Sequence, residues 1–306
     1  MTKQKTTIGV IGWIGVGKMG NPMATRLIEA GHRVVVCDPV AENRASLVAR
    51  GARVVDSVAE LVAGCSVVFS TIPNDAALAQ IMDGTSGAGD GLLAHVGPDT
   101  ILVEMSTVSP VLSVRIAEDL ARAGTRYVRC PVSGSTVLAR NGELTVLASG
   151  DRSAWNAIQP FIDILATRKY YLGDGEEARY MKLVLNTLVG GTSSILGEAL
   201  LLGERGGLTP AQMMEVIAES AVASPLVKYK KDMISNNDFT PAFSVAQMTK
   251  DLMLITEAGR ANQVPMTISN AILQQYFAAL NTGYSEQDFF ALFDWMRASG
   301  GNGSDN

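Results

Sequence analysis

The segment IGWIGVGKMG, residues 11–20, decides the fold of this chain. Its first four residues complete the apolar stretch TIGVIGWI, residues 7–14, which is predicted to be a buried strand, and it precedes NPMATRLIEAG, which has the pattern of an amphipathic helix. The glycines fit Gly-x-Gly-x-x-Gly between a strand and a helix, where they allow a tight turn, a close backbone approach to a pyrophosphate and close helix–strand packing. The alternative is a strand–helix turn without a ligand. The pattern predicts a dinucleotide site formed by Gly15, Val16, Gly17, Lys18, Met19 and Gly20.

A carboxylate at the end of the second predicted strand indicates which dinucleotide binds. Asp38 ends HRVVVCD, and Pro39 rather than an arginine follows it. A carboxylate at this place accepts hydrogen bonds from a ribose 2′-hydroxyl and repels a 2′-phosphate. The alternative role is that of a turn residue before a proline. We therefore expect NAD rather than NADP.

Two regions of different pattern divide the chain. In the first, short apolar strands alternate with amphipathic helices, which is typical of an α/β fold with a parallel sheet covered by helices on both faces. From about residue 172 to about residue 300 the pattern is almost entirely helical, and it begins with a long apolar helix. We predict a Rossmann NAD-binding domain over residues 1–173 and an all-α substrate and dimerisation domain over residues 174–306. The tail GGNGSDN is predicted to fray.

Composition excludes several classes of protein. Hydrophobic residues make up 47% of the 306 residues and charged residues 18%, which predicts a large core and excludes a disordered chain. The net charge is −5 and the sequence contains no basic cluster, so we do not expect a nucleic-acid partner. The polar start, MTKQKTT, is unlike a secretion signal, and the charge-free stretch 183–197 is too short to span a bilayer. We predict a cytoplasmic protein without a membrane partner.

The few cysteines and histidines are predicted to be structural. Cys37, Cys65 and Cys130 lack the spacing of metal or redox motifs, so we expect small buried side chains in a reducing compartment. His32 begins a strand and therefore lies at the edge opposite the predicted site, and His95 lies in a loop. No histidine is then placed to act as a general base, and no metal site is predicted.

Polar residues follow several strands and are expected at one edge of the sheet. They are Asp38, residues 71–74, Ser106 with Thr107, and Ser133. Ligands of open α/β sheets bind at the carboxyl ends of the strands, which is the edge that these residues share. The placement supports a binding site there.

Lys182 is the candidate for proton transfer. Oxidation of a hydroxyl by a nicotinamide needs a proton acceptor beside the reacting carbon, and a lysine serves if burial lowers its pKa. Lys182 lies in the apolar run RYMKLVLN, and Asn186 is four residues further along the same helix face. The alternative is a lysine whose stem packs at a helix end while its ammonium stays in water.

Taken together, these segments resemble the β-hydroxyacid dehydrogenases from about residue 8 to about residue 297. That family includes 3-hydroxyisobutyrate dehydrogenase, tartronate semialdehyde reductase and the glyoxylate/succinic semialdehyde reductases. The similar segments are residues 11–38 around the glycines, STIPNDAAL, EMSTVSP, PVSGSTVLARNGELTVLASG, KLVLN and KDL. The resemblance implies an oxidoreductase that transfers a hydride between NAD and the hydroxyl carbon of a small 3-hydroxy acid, or that reduces the matching semialdehyde.

The resemblance also implies roles for individual residues. Lys182 is nominated as the general acid/base, and no metal is required because the nicotinamide supplies the hydride chemistry. Substrate-binding residues are Ser133, Gly134 and Asn186. The cofactor contacts beyond the glycine turn and Asp38 are Ile72, Pro73, Ala77, Thr107 and Lys250.

The sequence departs from the family pattern at several positions. Arg129 and Cys130 stand where the family has an acidic residue and alanine, and Ser135 replaces a glycine. The approach to Lys182 carries Glu176 and Glu177 instead of glycines, and we interpret these as an acidic first helical turn. Arg129 is interpreted as a surface residue, with binding of an acid group as the alternative.

Two alternative functions and a homo-oligomeric assembly are also considered. An imine reductase has the same architecture, but the lysine at position 182 counts against it. A nucleotide-sensing protein without turnover is disfavoured by the intact pair Lys182 and Asn186. The long apolar helix predicts a homodimer or homotetramer, and the lysines at 228, 230 and 231 are interpreted as a solvated face rather than as contacts to an anionic substrate.

Overall fold

The computed structural model describes residues 9–84 and 89–300. Two compact units make up the chain, Met1–Lys182 and Leu183–Asn306. The start of the predicted first strand and the tail after residue 300, which was predicted to fray, lie outside the described residues. The predicted domain boundary after residue 173 stays a prediction.

The first unit is built on a single mixed sheet. Within residues 9–84 and 89–182 the strand order is β3–β2–β1–β4–β5–β6–β8–β7, and β9 also pairs with β8. Strands β1 to β6 run parallel to one another, whereas β8 is antiparallel to β6 and β7 and parallel to β9. The strands β1 to β9 are Ile11–Ile14, Val34–Cys37, Arg53–Val54, Val67–Ser70, Ile101–Glu104, Arg126–Arg129, Val132–Ser133, Leu144–Gly150 and Ala166–Tyr171.

Helices cover both faces of this sheet because alternate strand residues point to opposite faces. Trp13 stacks on Phe69, with 5.0 Å between ring centroids, in a core on one face. Ile14 and Val68, one residue along, belong to the core on the other face. The helices α1 to α7 of this unit are Gly20–Glu29, Ala41–Val48, Val58–Ala63, Asp75–Asp83, Pro110–Arg122, Thr136–Asn141 and Arg152–Leu165.

Side-chain oxygens begin several of these helices. Ser57, Asn74, Ser109 and Asp151 each accept a hydrogen bond from a backbone N–H of the first turn, which satisfies one donor that the helix itself cannot pair. The predicted α/β class is confirmed. The antiparallel strands β7 and β8 were not predicted, because the sequence segment that contains them was interpreted only through its motif.

A long helix, α8, spans Glu177–Arg205 and continues into the second unit. By length and composition it is apolar enough to cross a membrane, as core helices of soluble proteins also are, and 44% of its apolar window is buried. The charge-free stretch was predicted to be too short for that, but it is only part of the helix.

The second unit is helical throughout its described residues, 183–300. Helices α9 to α13 are Pro210–Glu219, Pro225–Ser235, Val245–Ala261, Thr267–Ala279 and Leu292–Ser299. Thr209 and Ser244 begin α9 and α11 with capping boxes, in which a glutamine three residues later bonds back to the cap backbone. The helices surround one apolar core, which includes Leu200, Met214, Met248, Tyr276 and Phe293.

One charged residue in this core corrects the sequence interpretation. Lys230, on α10, was assigned with its neighbours to a solvated face, but it is buried and its Nζ lies 2.7 Å from both carboxylate oxygens of Asp288. Burial lowers the pKa of Lys230, and the Asp288 carboxylate offsets part of that effect. The apolar neighbours Val227 and Ile234 place this side of α10 inward, so Lys230 needs a buried partner.

Candidate active site

The glycine turn has the geometry of a phosphate cradle. Gly15 has φ +78°, and a Cβ there would lie 2.4 Å from the Thr71 carbonyl oxygen, so only glycine fits. A Cβ on Gly20 would lie 2.1 Å from the Gly15 carbonyl oxygen, which is the close packing that the pattern predicts. At Gly17 a Cβ would meet nothing within 4 Å. This open side at the start of α1 fits a pyrophosphate.

Asp38 is held beside this turn by the backbone. Its Oδ2 accepts a hydrogen bond of 2.8 Å from the Val16 N–H, and its Oδ1 accepts one of 2.8 Å from the Val40 N–H. Asn43 Nδ2 donates to the same Oδ1 over 3.2 Å. A carboxylate offers about four acceptor positions, so it still has capacity for a ribose hydroxyl. The structure thus brings Asp38 together with the predicted glycine turn.

The segments that follow β4 and β5 are joined at the same edge of the sheet. The Ile72 N–H donates to Ser106 Oγ over 2.6 Å, and Ser70 Oγ donates to Glu104 Oε1 over 3.4 Å. Thr71 Oγ1 donates to the Gly15 carbonyl and accepts a hydrogen bond from the Trp13 indole. The cofactor residues nominated after β1, β4 and β5 are therefore neighbours. Pro73 and Ala77 lie at the start of α4, on the same side.

The start of α8 is bonded to this edge through a buried arginine. Arg179 is 1% exposed and forms an ion pair with Glu104, which is fully buried. Its Nη1 donates to the Ser106 carbonyl over 2.6 Å, and its Nη2 donates to Tyr127 Oη over 3.1 Å. Burial alone would lower the pKa of Arg179, but Glu104 and Tyr127 outweigh it, and the pKa lies above its ordinary value.

The nominated substrate residues Ser133 and Gly134 follow β6 at the same end of the sheet. Ser133 ends the short strand β7, and its side chain is half-buried. Gly134 has φ +142°, and a Cβ there would approach Leu144 Cδ2 to 2.8 Å. The turn therefore requires glycine at 134.

The residues nominated on the helices fall into two groups. Lys182 is half-buried, one turn after Arg179 in α8. In the second unit, the buried Asn186 donates its amide to Asp251 Oδ2, and Lys250 Nζ lies 2.7 Å from Asp251 Oδ1. Asp251 thus links two nominated residues, and it is 1% exposed. Sequence reasoning quoted it within KDL without giving it a role.

Two family models match the chain in the order of its units. The NAD binding domain of 6-phosphogluconate dehydrogenase matches residues 10–173. The NAD-binding domain of NADP-dependent 3-hydroxyisobutyrate dehydrogenase matches residues 176–296. The chain belongs to the β-hydroxyacid dehydrogenase family. It is an NAD-dependent oxidoreductase, and the expected cofactor NAD is confirmed, whereas the attribution of the NAD preference to Asp38 stays a prediction.

Relatives resemble the β-hydroxyacid dehydrogenase chain over nearly its whole length. It is 32% identical to 2-(hydroxymethyl)glutarate dehydrogenase of Eubacterium barkeri, over 95% of this chain and 96% of that protein. It is 31% identical to the NAD-dependent L-serine dehydrogenase of Pseudomonas aeruginosa, over 93% and 97%. The crystal structure of 3-hydroxyisobutyrate dehydrogenase from Salmonella typhimurium covers 94% of this chain and 99% of its own, with a TM-score of 0.84 and 26% identity.

Two departures from the β-hydroxyacid dehydrogenase pattern explain each other. Arg129, interpreted as a surface residue, is buried and forms an ion pair with Glu176. Its Nε also donates to Ser113 Oγ over 3.3 Å. Glu176 therefore balances a buried charge rather than serving an acidic first turn, whereas Glu177 does begin α8. The surface assignment was wrong because the family comparison concerned each position alone.

The remaining departures have structural roles in this β-hydroxyacid dehydrogenase. Ser135 begins α6, where its Oγ accepts a hydrogen bond of 3.4 Å from the Leu138 N–H. Cys130 is buried, and burial raises the pKa of its thiol. Cys65 is buried as well, with its pKa raised to about 11 by burial, and Cys37 is half-buried. All three are free thiols, as the sequence predicted.

The two histidines lie away from the glycine turn. His32 packs edge-on against Phe161, with ring centroids 5.1 Å apart. His95 is exposed and pairs with the Gly89 carbonyl over 3.0 Å. Sequence reasoning missed Glu104 and Arg179 entirely. Glu104 stands in EMS and Arg179 follows two glutamates in EEARYM, and nothing in either segment identifies the residue with which it pairs.

Proposed function

We propose that this enzyme oxidises small 3-hydroxy acids, or reduces the matching semialdehydes, with Lys182 as general acid/base. One observation carries the assignment to Lys182. Arg179, in the first turn of the helix that bears Lys182, is hydrogen-bonded to Ser106, which precedes the nominated Thr107. This is the edge of the sheet at which the glycine turn and Asp38 lie. Relatives that act on 2-(hydroxymethyl)glutarate and on L-serine support hydroxy acids as the substrate class.

The chain's own residues have separate tasks in this proposal. The glycine turn and Asp38 hold the dinucleotide, whose nicotinamide accepts or donates the hydride when bound. Lys182 accepts the hydroxyl proton during oxidation and returns it to the alkoxide during reduction. Ser133 and the Gly134 N–H bind a carboxylate or carbonyl oxygen of the substrate. Asn186 orients the substrate from the next turn of α8.

The substrate class is tested with a panel of acids and aldehydes. We expect turnover of 3-hydroxyisobutyrate, L-serine or 2-(hydroxymethyl)glutarate with NAD, or of the matching semialdehydes with NADH. Replacing Lys182 with Ala should lower kcat by about 10²- to 10⁴-fold and leave NAD binding intact, because proton transfer is lost but the glycine turn is not. The matched control is Lys169→Ala on β9, which should keep full turnover. Unchanged turnover in Lys182→Ala removes this lysine from the mechanism.

The preference for NAD over NADP is attributed to Asp38. A carboxylate fixed by the Val16 and Val40 N–H groups cannot move away from an added 2′-phosphate. Asp38→Asn removes the charge and should raise kcat/KM for NADP relative to NAD. Asp56→Asn, an exposed carboxylate that pairs with Arg44, should leave that ratio unchanged. A wild-type enzyme that prefers NADP contradicts the argument.

We also propose a homodimer or homotetramer in the cytoplasm. Val184, Leu188, Ile195 and Leu202 of α8 are between 51% and 76% exposed. Their spacing of four and then seven residues forms one row along the helix, which is the spacing of a seam between two helices. A second copy of this chain would cover the row. The free thiols support a reducing compartment.

A further inference from the structure

Ser106 is hydrogen-bonded to three different segments through its N–H, its Oγ and its carbonyl. Its N–H donates to Glu104 Oε1 over 2.9 Å, and its Oγ accepts the Ile72 N–H over 2.6 Å. Its carbonyl accepts Arg179 Nη1 over 2.6 Å. The N–H and Oγ bonds come from β5 and from the end of β4, so they fix the loop without help from α8. The third of these bonds connects the loop to the helix of Lys182.

Arg179 makes that connection with a rigid fork. A guanidinium carries five N–H donors in one plane, and here they reach Glu104 on β5, Tyr127 on β6 and Ser113 on α5, besides Ser106. Each partner is buried, so water does not compete for these bonds. The start of α8 is thereby fixed against three neighbouring elements at once.

The second buried pair strengthens the same junction. Arg129 Nε and Arg179 Nε share Ser113 Oγ, at 3.3 and 3.4 Å. Arg129 also pairs with Glu176, the residue before α8 begins. Two arginines and two glutamates therefore bracket the first turn of the helix, and their charges balance.

We propose that Arg179 is the positioning residue that sets Lys182 relative to the Ser106–Thr107 loop. Lys182 is three residues further along α8, about 4.5 Å in rise and on the same face of the helix. The bonds of Arg179 thus fix both the height and the rotation of that turn. This inference rests on the proposed acid/base role of Lys182. A shift of about 1 Å in such a group costs about 10²-fold in rate.

The test replaces the planar guanidinium of Arg179 with the single ammonium group of a lysine. Arg179→Lys keeps the buried charge beside Glu104 but cannot reach Glu104, Ser106 and Tyr127 together. We expect kcat to fall by about 10²-fold, with the Kd for NAD unchanged because the loop stays fixed by Glu104 and Ile72. The pH profile of kcat/KM should also shift, since the surroundings of Lys182 change. Arg297→Lys is the matched control: it alters an Arg–Glu pair at the far end of α8, with Glu204, and should change neither quantity.

A double-mutant cycle separates positioning from general damage. If Arg179 acts through Lys182, Arg179→Lys should have no further effect on the residual rate of Lys182→Ala. A further loss in that background, equal to the loss in the wild type, overturns the inference. If Arg179→Lys does not fold, the charge-neutral pair Glu104→Gln and Arg179→Gln replaces it in the same cycle.

The two proposals fail in different ways. Full turnover in Lys182→Ala contradicts the proposed function, whatever Arg179→Lys does. A collapse in Lys182→Ala together with full turnover and an unshifted pH profile in Arg179→Lys contradicts only the positioning role.

Discussion

The two ends of helix α8 use opposite physical chemistry. At its start, Arg179 is 1% exposed and every bond it makes goes to a buried partner. Further along, from residue 184 to residue 202, a row of aliphatic side chains is exposed. One continuous helix thus buries charge at the end that carries Lys182 and exposes apolar surface along the rest. Under the proposals above, the first end would position Lys182 and the second would contact another copy of the chain.

Each of these two arrangements costs free energy unless a partner group offsets it. A buried guanidinium is tolerated only when its charge and its donors find partners, and Arg179 pairs with Glu104 and donates to Ser106, Tyr127 and Ser113. An exposed apolar row is uncommon on a monomer, because each aliphatic side chain left in water forgoes about 1.5–3 kcal/mol of burial. A partner surface would offset the second cost, whereas the first is offset inside the same unit.

The largest effect is expected from breaking the buried pair at the start of the helix. Arg179→Met leaves Glu104 buried without a counter-charge and should lower the free energy of unfolding by about 3–5 kcal/mol. Replacing both partners, Glu104→Leu with Arg179→Met, should restore most of that loss. Urea unfolding followed by circular dichroism measures both. The values should then be compared at one pH and one salt concentration.

The far end of the helix provides the matched control for this experiment. Arg297 pairs with Glu204 there, and both side chains are partly exposed. Arg297→Met should cost no more than about 1 kcal/mol, because water screens the pair. Equal losses at the two ends would show that burial of the Arg179 network carries no special stability.

The second prediction concerns the exposed row. Ile195→Lys should dissociate the assembly, because a lysine in the centre of an apolar seam must be desolvated without a partner. The free energy of unfolding of the isolated chain should change by less than about 0.5 kcal/mol, since position 195 is exposed. Analytical ultracentrifugation measures the mass. Val216→Lys, an equally exposed aliphatic position on α9, is the control and should not change the mass. A wild-type mass of one 32.4 kDa chain contradicts the assembly.

The sequence predicted the parts of this molecule that rest on local rules. The glycine turn follows a local rule, since Gly15 has φ +78° and a Cβ on Gly20 would lie 2.1 Å from the Gly15 carbonyl oxygen, and the pattern named both. The strand–helix alternation predicted the parallel sheet for the same reason. Asp38 was predicted from its place at the end of β2, and the structure adds only the N–H groups that hold it.

The parts that failed depend on partners distant in sequence. Arg129 and Glu176 are 47 positions apart, and neither looks buried by itself. Lys230 stands beside two other lysines, and only Asp288, far along the chain, makes its burial possible. A single sequence gives no sign of which charges will pair across a fold. For the same reason Glu104 and Arg179 were not singled out, although Glu104 lies in EMSTVSP, a segment that the family resemblance identified.

The smallest expected effect concerns Asp151, a carboxylate that is stabilised by hydrogen bonds. It shows how much such a group contributes to the free energy of unfolding, for comparison with the ion-paired Glu104. Asp151 begins α7, and its Oδ1 accepts hydrogen bonds from the Ala154 N–H at 2.7 Å and from Ser153 Oγ at 2.6 Å. Partial burial alone would raise the pKa of Asp151, but these hydrogen bonds outweigh it, so the pKa lies below its ordinary value. Asp151→Ala should therefore cost about 1 kcal/mol of unfolding free energy at neutral pH.

The stability lost in Asp151→Ala should depend on pH in a direction that follows from the lowered pKa. Because the folded pKa of Asp151 is lowered, its contribution is complete above the unfolded value of about 3.9 and is lost as the pH falls through the folded value. The difference between wild type and Asp151→Ala should shrink over that range. Asp151→Asn keeps the cap oxygen but has no charge, so its stability relative to Asp151→Ala should not vary with pH. If instead the stability advantage of the wild type over Asp151→Ala grew on acidification, the hydrogen bonds would favour the protonated acid. Asp151 could then not be compared with Glu104, the ion-paired carboxylate at the start of α8.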